Sequence, residues 1–438
     1  MIRYDKYKDS GVDWLGDIPD NWEVKRIKDL IFKIGSGVTP LGGGEVYVDK
    51  GIPFVRSQNV YDDGLRLDNV SFITEEINNR MPNSQLKPND ILINITGASI
   101  GRSCIVPLTL KKANINQHII YLRAKKNIVP YLSTYIKSSS IKGYIMLIQA
   151  GSSKEALNMG QTLNIPILAP SFSEQTTIAS YLDLKTSAID RKVALLEQKI
   201  THYQQLRKSL INETVCRGLD KNVKLKDSGI EWIGKIPEHW EVKRLKDLSK
   251  KMGSGATPLS NIPSYYENGI LNWVNTGDLN DGLINDCQYK ISQHAINDYP
   301  NLKTNKKGTL LIAMYGATIC KIGLLNIEAT TNQACCCINF NKDYLSKFVF
   351  YWFLANKNHI ISLSVGGTQP NISQGIISKL LIVIPSLSEQ TSIATYLDEK
   401  TQKIDSIISN IKFQIETLKE LRKTLINDVV TGKIKVTA

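Results

Sequence analysis

The chain says nearly the same thing twice. Residues 8–41 read KDSGVDWLGDIPDNWEVKRIKDLIFKIGSGVTPL and residues 226–259 read KDSGIEWIGKIPEHWEVKRLKDLSKKMGSGATPL. A second pair, SFSEQTTIASYLDLKTSAID from Ser171 and SLSEQTSIATYLDEKTQKID from Ser386, follows in the same order, and between the matched blocks the halves differ strongly. A chain that keeps its frame and varies its inserts is constrained to fold as two like units joined by like connectors. At 438 residues several domains are expected in any case, because single hydrophobic cores stop growing well below that length.

The connectors read as helices. After Pro170, Ser171 or Ser173 is available to cap a helix beginning near Glu174. Its apolar positions run Leu182, Ile189, Val193, Leu196, Ile200, Tyr203, Leu206 and Leu210; the second set is Leu397, Ile404, Ile408, Ile411, Ile415, Leu418, Leu421 and Leu425, each 215 positions after its counterpart. Steps of three, four and seven sustained over several heptads are those of a coiled-coil seam. Two such helices in one chain most simply pack on each other, and at about 40 residues each is roughly 60 Å long, a spacer as well as a packing element. The inserts, roughly Trp22 to Pro170 and Trp240 to Pro385, mix strand-like runs bounded by Gly, Pro and Asn with amphipathic stretches near Tyr131 to Ile148 and Tyr344 to Leu363. The expected fold class is therefore α/β: two mixed α/β domains, residues 1–170 and 218–385, separated by long helices, residues 171–217 and 386–438 with a C-terminal tail. The helices form an antiparallel coiled coil, and the whole has a pseudo-two-fold internal repeat.

With 42% hydrophobic and 22% charged residues, disorder is not expected. No apolar run approaches the ~20 residues that span a bilayer; the strongest, Leu380 to Ile384, stops at Pro385. The start, MIRYDKYKDS, lacks the apolar core of a signal peptide, so no membrane partner and a cytoplasmic location are expected. Seven cysteines without paired spacing argue against a disulfide framework. Cys335, Cys336 and Cys337 fall on a strand-like run whose neighbours point to opposite faces, so they are expected to be buried and reduced and to ligate no metal. A net charge of +13 makes a polyanion, first of all nucleic acid, the partner to consider.

Catalytic signatures are missing. There is no phosphate loop, no H-E-x-x-H helix and no G-x-S-x-G elbow. An adenine methylase is expected to carry N/D-P-P-Y/F beside a Gly-rich loop, yet residues 261–265 read NIPSY. The Gly-rich TGASIGR, from Thr96 to Arg102, has the counterpart YGATICK, from Tyr315 to Lys321, in which Cys320 replaces Gly101; both read as tight turns between strands. Asp183 with Lys185 and Asp398 with Lys400 lie on the helices and read as solvated faces. Trp14, Trp22, Trp232 and Trp240 are expected to pack the junction of domain and helix. Lys25, Arg26 and Lys28, with Lys243, Arg244 and Lys246, are either phosphate contacts or bystanders.

The order Trp-x-Gly-x-Ile-Pro-x-x-Trp-Glu-Val-Lys-Arg, variable insert, and Ser-Glu-Gln-Thr-x-Ile-Ala-x-Tyr-Leu-Asp helix, all repeated, resembles the specificity subunit of a type I restriction-modification system, HsdS. The resemblance covers almost the whole chain. It implies that the inserts are target recognition domains, each reading one half of an interrupted site in double-stranded DNA, while the helices fix the gap and dock two methyltransferase (modification) subunits. It also implies restriction/translocase subunits as further partners, no catalytic activity, and no cofactor on this chain, with S-adenosylmethionine and ATP/Mg held by the partner subunits. The alternative is a self-sufficient DNA-modifying enzyme, methylase or nuclease, with unrecognised motifs. A scaffold that binds only protein is a further rival.

Base readout is expected where the aligned halves differ in polar loop residues, and phosphate or framework work where they agree. Three regions qualify. Arg56, Ser57, Gln58 and Asn59 correspond to Asn275, Thr276, Gly277 and Asp278; Thr96, Ser99 and Arg102 to Tyr315, Thr318 and Lys321; and the loops from Gly151 and Gly366 offer Ser153 and Lys154 against Thr368, Gln369 and Asn371.

Overall fold

The computed structural model describes residues 2–149, 156–366 and 370–436. It comprises two compact units, residues 1–196 with 412–438, and residues 197–411. In each, the repeated block makes the same start. Strand Tyr7–Asp9 pairs antiparallel with Asp17–Pro19 in the first unit, and Leu225–Asp227 with Lys235–Pro237 in the second. The next strand closes the insert on itself: Glu23–Arg26 pairs with Pro166–Ala169, and Glu241–Arg244 with Leu381–Ile384, four residue pairs in each ladder.

Between the neck strands the two inserts share a sheet order that their sequences conceal. In the first unit the antiparallel order is Ser103–Ile105, Ile91–Asn94, Ile119–Ala124, Ile31–Ser36. The second repeats it as Ile322–Leu325, Leu310–Ala313, Cys335–Phe340, Ser249–Ser254, and adds Gly282–Ile284 in parallel at the edge. A smaller sheet stands beside each, and in both a strand entering a site loop, Ile52–Val55 or Leu271–Val274, pairs in parallel with a two-residue strand, Asn114–Ile115 or Thr330–Thr331. The three cysteines alternate as a strand requires. Cys336 packs with Ile338 in the large core against the helices, while Cys335 and Cys337 join Val274 and Leu311 on the other face. All seven cysteines are free thiols, and burial pushes Cys336 up to about 12 and Cys337 up to about 11, so both stay protonated at neutral pH.

The tryptophans pack the junction. Trp22 and Trp240 are fully buried, Trp14 stacks on Tyr144 at 4.8 Å, and Trp232 stacks on His359 at 4.1 Å. Trp240 Nε1 donates to both carboxylate oxygens of Glu389 at 3.1 Å, whereas the matching Glu174 accepts from the Tyr4 hydroxyl at 2.6 Å and Trp22 Nε1 has no partner among the described residues. Removing an acceptor from a buried indole N–H costs about 1–3 kcal/mol. Glu389→Ala is therefore expected to lower the thermal midpoint of the second unit in a tryptophan-fluorescence melt; an unchanged midpoint would show that the bond contributes nothing.

The long helices run Phe172–Arg217 and Leu387–Val430. Ser171 and Ser386 cap them, each hydroxyl accepting from the N–H three residues on at 3.3 Å. The glutamines of the repeated Ser-Glu-Gln reach back, Gln175 to Pro170 O at 2.9 Å and Gln390 to Pro385 O at 3.0 Å. Within each unit the two helix segments are antiparallel: Asp190 pairs with Arg422 while Leu182 shares a core with Val429 in the first, and Arg207 pairs with Asp405 while Val215 shares a core with Ile393 in the second. The seam departs from the expected stripe at one step. Leu206 and Leu421 are exposed, and the adjacent Arg207 and Arg422 turn inward to the carboxylates, because steps of four then three fit the helix as well as three then four. Asp398 also departs from expectation: it accepts from the Tyr351 hydroxyl at 2.8 Å and pairs with Lys347, anchoring helix Ser346–Ser362, while Asp183 is exposed as expected.

Candidate nucleic-acid interface

In the first unit, strand Ile52–Val55 runs into the turn at Arg56–Asn59, and strand Ile91–Asn94 into the turn at Thr96–Arg102 before returning as Ser103–Ile105. Both Gly-rich segments are tight turns, as their composition implies. Gly97 and Gly101 take φ of +68° and +78°, and Cys320 accepts +58° where Gly101 has its counterpart. Between the two turns lies Asn116–His118: Asn116 N donates to Val55 O at 3.1 Å, Ile95 N donates to His118 O at 3.0 Å, and the Thr96 hydroxyl meets His118 Nδ1 at 2.8 Å. Buried Asn94 ties the loops together from beneath, its Nδ2 donating to Ser57 O at 2.8 Å and Ser99 Oγ at 3.1 Å. Leu157 N donates to Ile95 O at 2.9 Å, so the chain emerging from the third expected region meets the same edge. Ser153 and Lys154 themselves lie outside the described residues.

The second unit gathers its counterparts in the same way. Asn332 N donates to Val274 O at 3.1 Å and Met314 N to Ala334 O at 2.9 Å, which sets Asn332–Ala334 between the turns at Thr276–Asp278 and Gly316–Thr318. Asn371 is exposed and bridges Tyr315, which is 44% exposed, while Thr368 and Gln369 lie outside the described residues. Each unit thus collects unlike polar loops on one patch.

The side chains divide by what they already hold. Asn59 is buried, its Oδ1 accepting from Arg56 N at 3.0 Å and its Nδ2 donating to Arg66 O at 3.0 Å; Asp278 likewise accepts from Asn275 N at 2.8 Å. Thr318 donates to Tyr315 O at 3.3 Å. These three close their own turns. Gln58 is exposed, and Arg56, Ser57, Arg102, Asn275, Thr276 and Lys321 are half-buried. The Arg102 and Arg66 guanidinium groups lie over the Tyr61 ring, 5.1 and 3.7 Å from its centroid, which fixes two cations beside the turn.

Sequence reasoning missed the supports. Asp62 accepts from Ser103 N at 3.1 Å and pairs with Lys142, while Asp281 accepts from Ile322 N at 3.1 Å and pairs with Lys357 at 2.6 Å, locking each Gly-rich turn to a helix. The shared Asp-Gly-Leu at 63–65 and 281–283 marks Asp281 directly and, in the first unit, the neighbour of Asp62. Also missed was the Asn-Gln dipeptide at 116–117 and 332–333, which recurs inside the diverged inserts. Among the described residues no group of three or more His, Cys, Asp or Glu is arranged to hold a metal, and no helix is long and apolar enough to cross a membrane.

The chain matches the family described as Type I restriction modification DNA specificity domain twice, over residues 19–202 and 237–417. It is 24% identical to the type I restriction enzyme MjaVIII specificity subunit of Methanocaldococcus jannaschii across 96% of this chain and 94% of that protein. Its fold is similar to a chain of a type I R-M system solved for its complex assembly and conformational transition, with a TM-score of 0.75 at 15% identity over 95% of this chain and 99% of the other. It is also similar to the HsdS subunit of Thermoanaerobacter tengcongensis, with a TM-score of 0.57 at 15% identity over 95% and 98%.

Proposed function

Since the chain belongs to the type I restriction-modification DNA specificity family and is a non-catalytic specificity subunit of such a system, we propose that each unit reads one half of an interrupted double-stranded DNA site. The long helices set the unread gap and dock two methyltransferase subunits; S-adenosylmethionine, and ATP with Mg where restriction/translocase subunits join, reside on those partners. The observation that carries this reading is the contrast within each unit, where a repeated frame holds together loops that do not repeat. Two like frames give two like placements on a duplex, and unlike loops give two unrelated half-sites.

Co-expression with the cognate methyltransferase subunit, followed by mapping of methylated adenines across the host genome, tests the reading. One motif with two specified halves and an unspecified gap is expected; an uninterrupted motif, or methylation by the chain alone, would overturn it. Within that motif Arg102 reads a base, guanine being the natural partner of its planar donor pair. Arg102→Ala is expected to cost about 1–3 kcal/mol of discrimination and to relax one position in one half. Uniform weakening with every position retained would move Arg102 to the backbone. Asn59, Asp278 and Thr318 hold their turns in shape, and Gln58, Tyr315 and Asn371, with the half-buried Ser57, Asn275, Thr276 and Lys321, supply the remaining contacts.

A further inference from the structure

In each unit a repeated segment reaches in among the variable loops. The shared Gly-x-Thr-Pro-Leu at residues 37–41 and 255–259 lies along the segment that separates the two variable turns. In the first unit Gly37 N donates to Ile119 O at 3.0 Å and Val38 N to Ile115 O at 3.2 Å. Only glycine permits this approach: a Cβ on Gly37 would sit 1.9 Å from Asn116 O, and one on Gly255 would sit 1.6 Å from Thr331 O. The close passage brings Thr39 Oγ1 into a hydrogen bond with Gln117 Oε1, and Thr257 Oγ1 into the same bond with Gln333 Oε1. Both glutamines are exposed. The residues around them have diverged, ANINQHI against ATTNQAC, yet the glycine, the threonine and the glutamine recur together.

We infer that Gln117 and Gln333, each held by its threonine, donate to phosphate oxygens of the duplex at matching places in the two half-sites, setting register without reading sequence. The inference rests on the DNA-reading function proposed above. Two unrelated half-sites have the backbone in common, and a group common to both units at the centre of their variable loops suits that common feature. The chemistry agrees. Bidentate recognition of adenine needs both the amide oxygen and the amide N–H of a glutamine. Here the threonine hydroxyl takes one lone pair of the oxygen and fixes the direction of the amide, and the NH₂ group, without a partner among the described residues, remains to meet an acceptor. Phosphate oxygens are acceptors only, and neutral side chains commonly position a protein on them.

The test uses the full chain with its methyltransferase subunit, a duplex bearing the mapped site, and a scrambled duplex. Gln117→Ala and Gln333→Ala are each expected to weaken binding to both duplexes by roughly 3- to 10-fold, the worth of one hydrogen bond, with the methylated motif unchanged. Gln117→Glu, which sets a carboxylate against the phosphate, is expected to lose more than tenfold. Thermal melts of the alanine variants should match the parent, since both side chains are exposed. A motif relaxed at one position would make the glutamine a base reader and overturn the inference, as would unchanged affinity or a loss that tracks a lowered melt. If the parent complex itself shows no preference for its duplex, the function reading fails instead.

Discussion

Replacing residues 22–170 with the insert of a related chain changes the bases methylated in one half of the target and leaves the other half and the gap as they were. The expectation follows from how the insert is closed. Its first and last strands, Glu23–Arg26 and Pro166–Ala169, are hydrogen-bonded to each other, so a foreign insert brings both sides of its own neck. One of its cores is also its own: among the described residues Val55, Leu92, Cys104 and Tyr121 pack together without the long helices, while Ile93 and Leu122 on the sheet's other face pack on Leu182 and Val429. The energetic effect is large because each mismatched base pair costs about 1–3 kcal/mol, and a half-site of about three or four pairs then separates old and new targets by at least two powers of ten. The measurement is the genome-wide map of methylated adenines for parent and chimera. A change in both halves would show that the units do not read independently.

Arg123→Ala or Asp90→Ala is expected to destabilise the first unit by about 3–5 kcal/mol, the cost of leaving one member of a buried ion pair alone. Arg123 meets Asp90 through two bonds of 2.7 Å, with side chains 14% and 1% exposed, and Asp90 also accepts from Lys87 N at 2.7 Å. The second unit does the same job without charge, Thr309 Oγ1 donating to Asn339 Oδ1 at 2.7 Å. The paired change Asp90→Thr with Arg123→Asn should therefore cost about 1 kcal/mol or less, as uncharged replacements of buried pairs often do. Hydrogen exchange of strand Ile119–Ala124 is the suitable probe, because two units need not unfold in one transition. A paired variant as unstable as either single one would refute the equivalence.

How much of this was legible depended on whether the deciding interaction was local. The helix starts were, since a serine cap and its glutamine sit within five residues of Pro170 and Pro385. The seam was legible except at Leu206 and Leu421, where pattern favours the leucine and an ion pair from the facing helix favours its neighbour arginine. Sheet order was hidden because its pairings are remote: Val55 beside Ile115, Ile93 beside Ile120. The site loops could be picked as turns that differ between the halves, but their convergence could not, because it hangs on Asn94 and on Asn116–His118, whose recurring Asn-Gln marks a shared segment without saying which loops it joins. The equivalence of Asp90–Arg123 with Thr309–Asn339 was likewise invisible, since an ionic and a neutral pair share no letters.

The neck ladders have a consequence for how such a chain changes over generations. Four residue pairs in each unit close off the stretch within which the two halves of the chain differ most. Inside them, pressure to recognise a new sequence can act on loops and even on the chemistry of the core, as the ionic and neutral pairs show. Outside them the two halves keep the same residues at the same places, Trp14 with Trp232, Trp22 with Trp240 and the caps Ser171 with Ser386. A lineage built this way can acquire a new target without renegotiating its assembly.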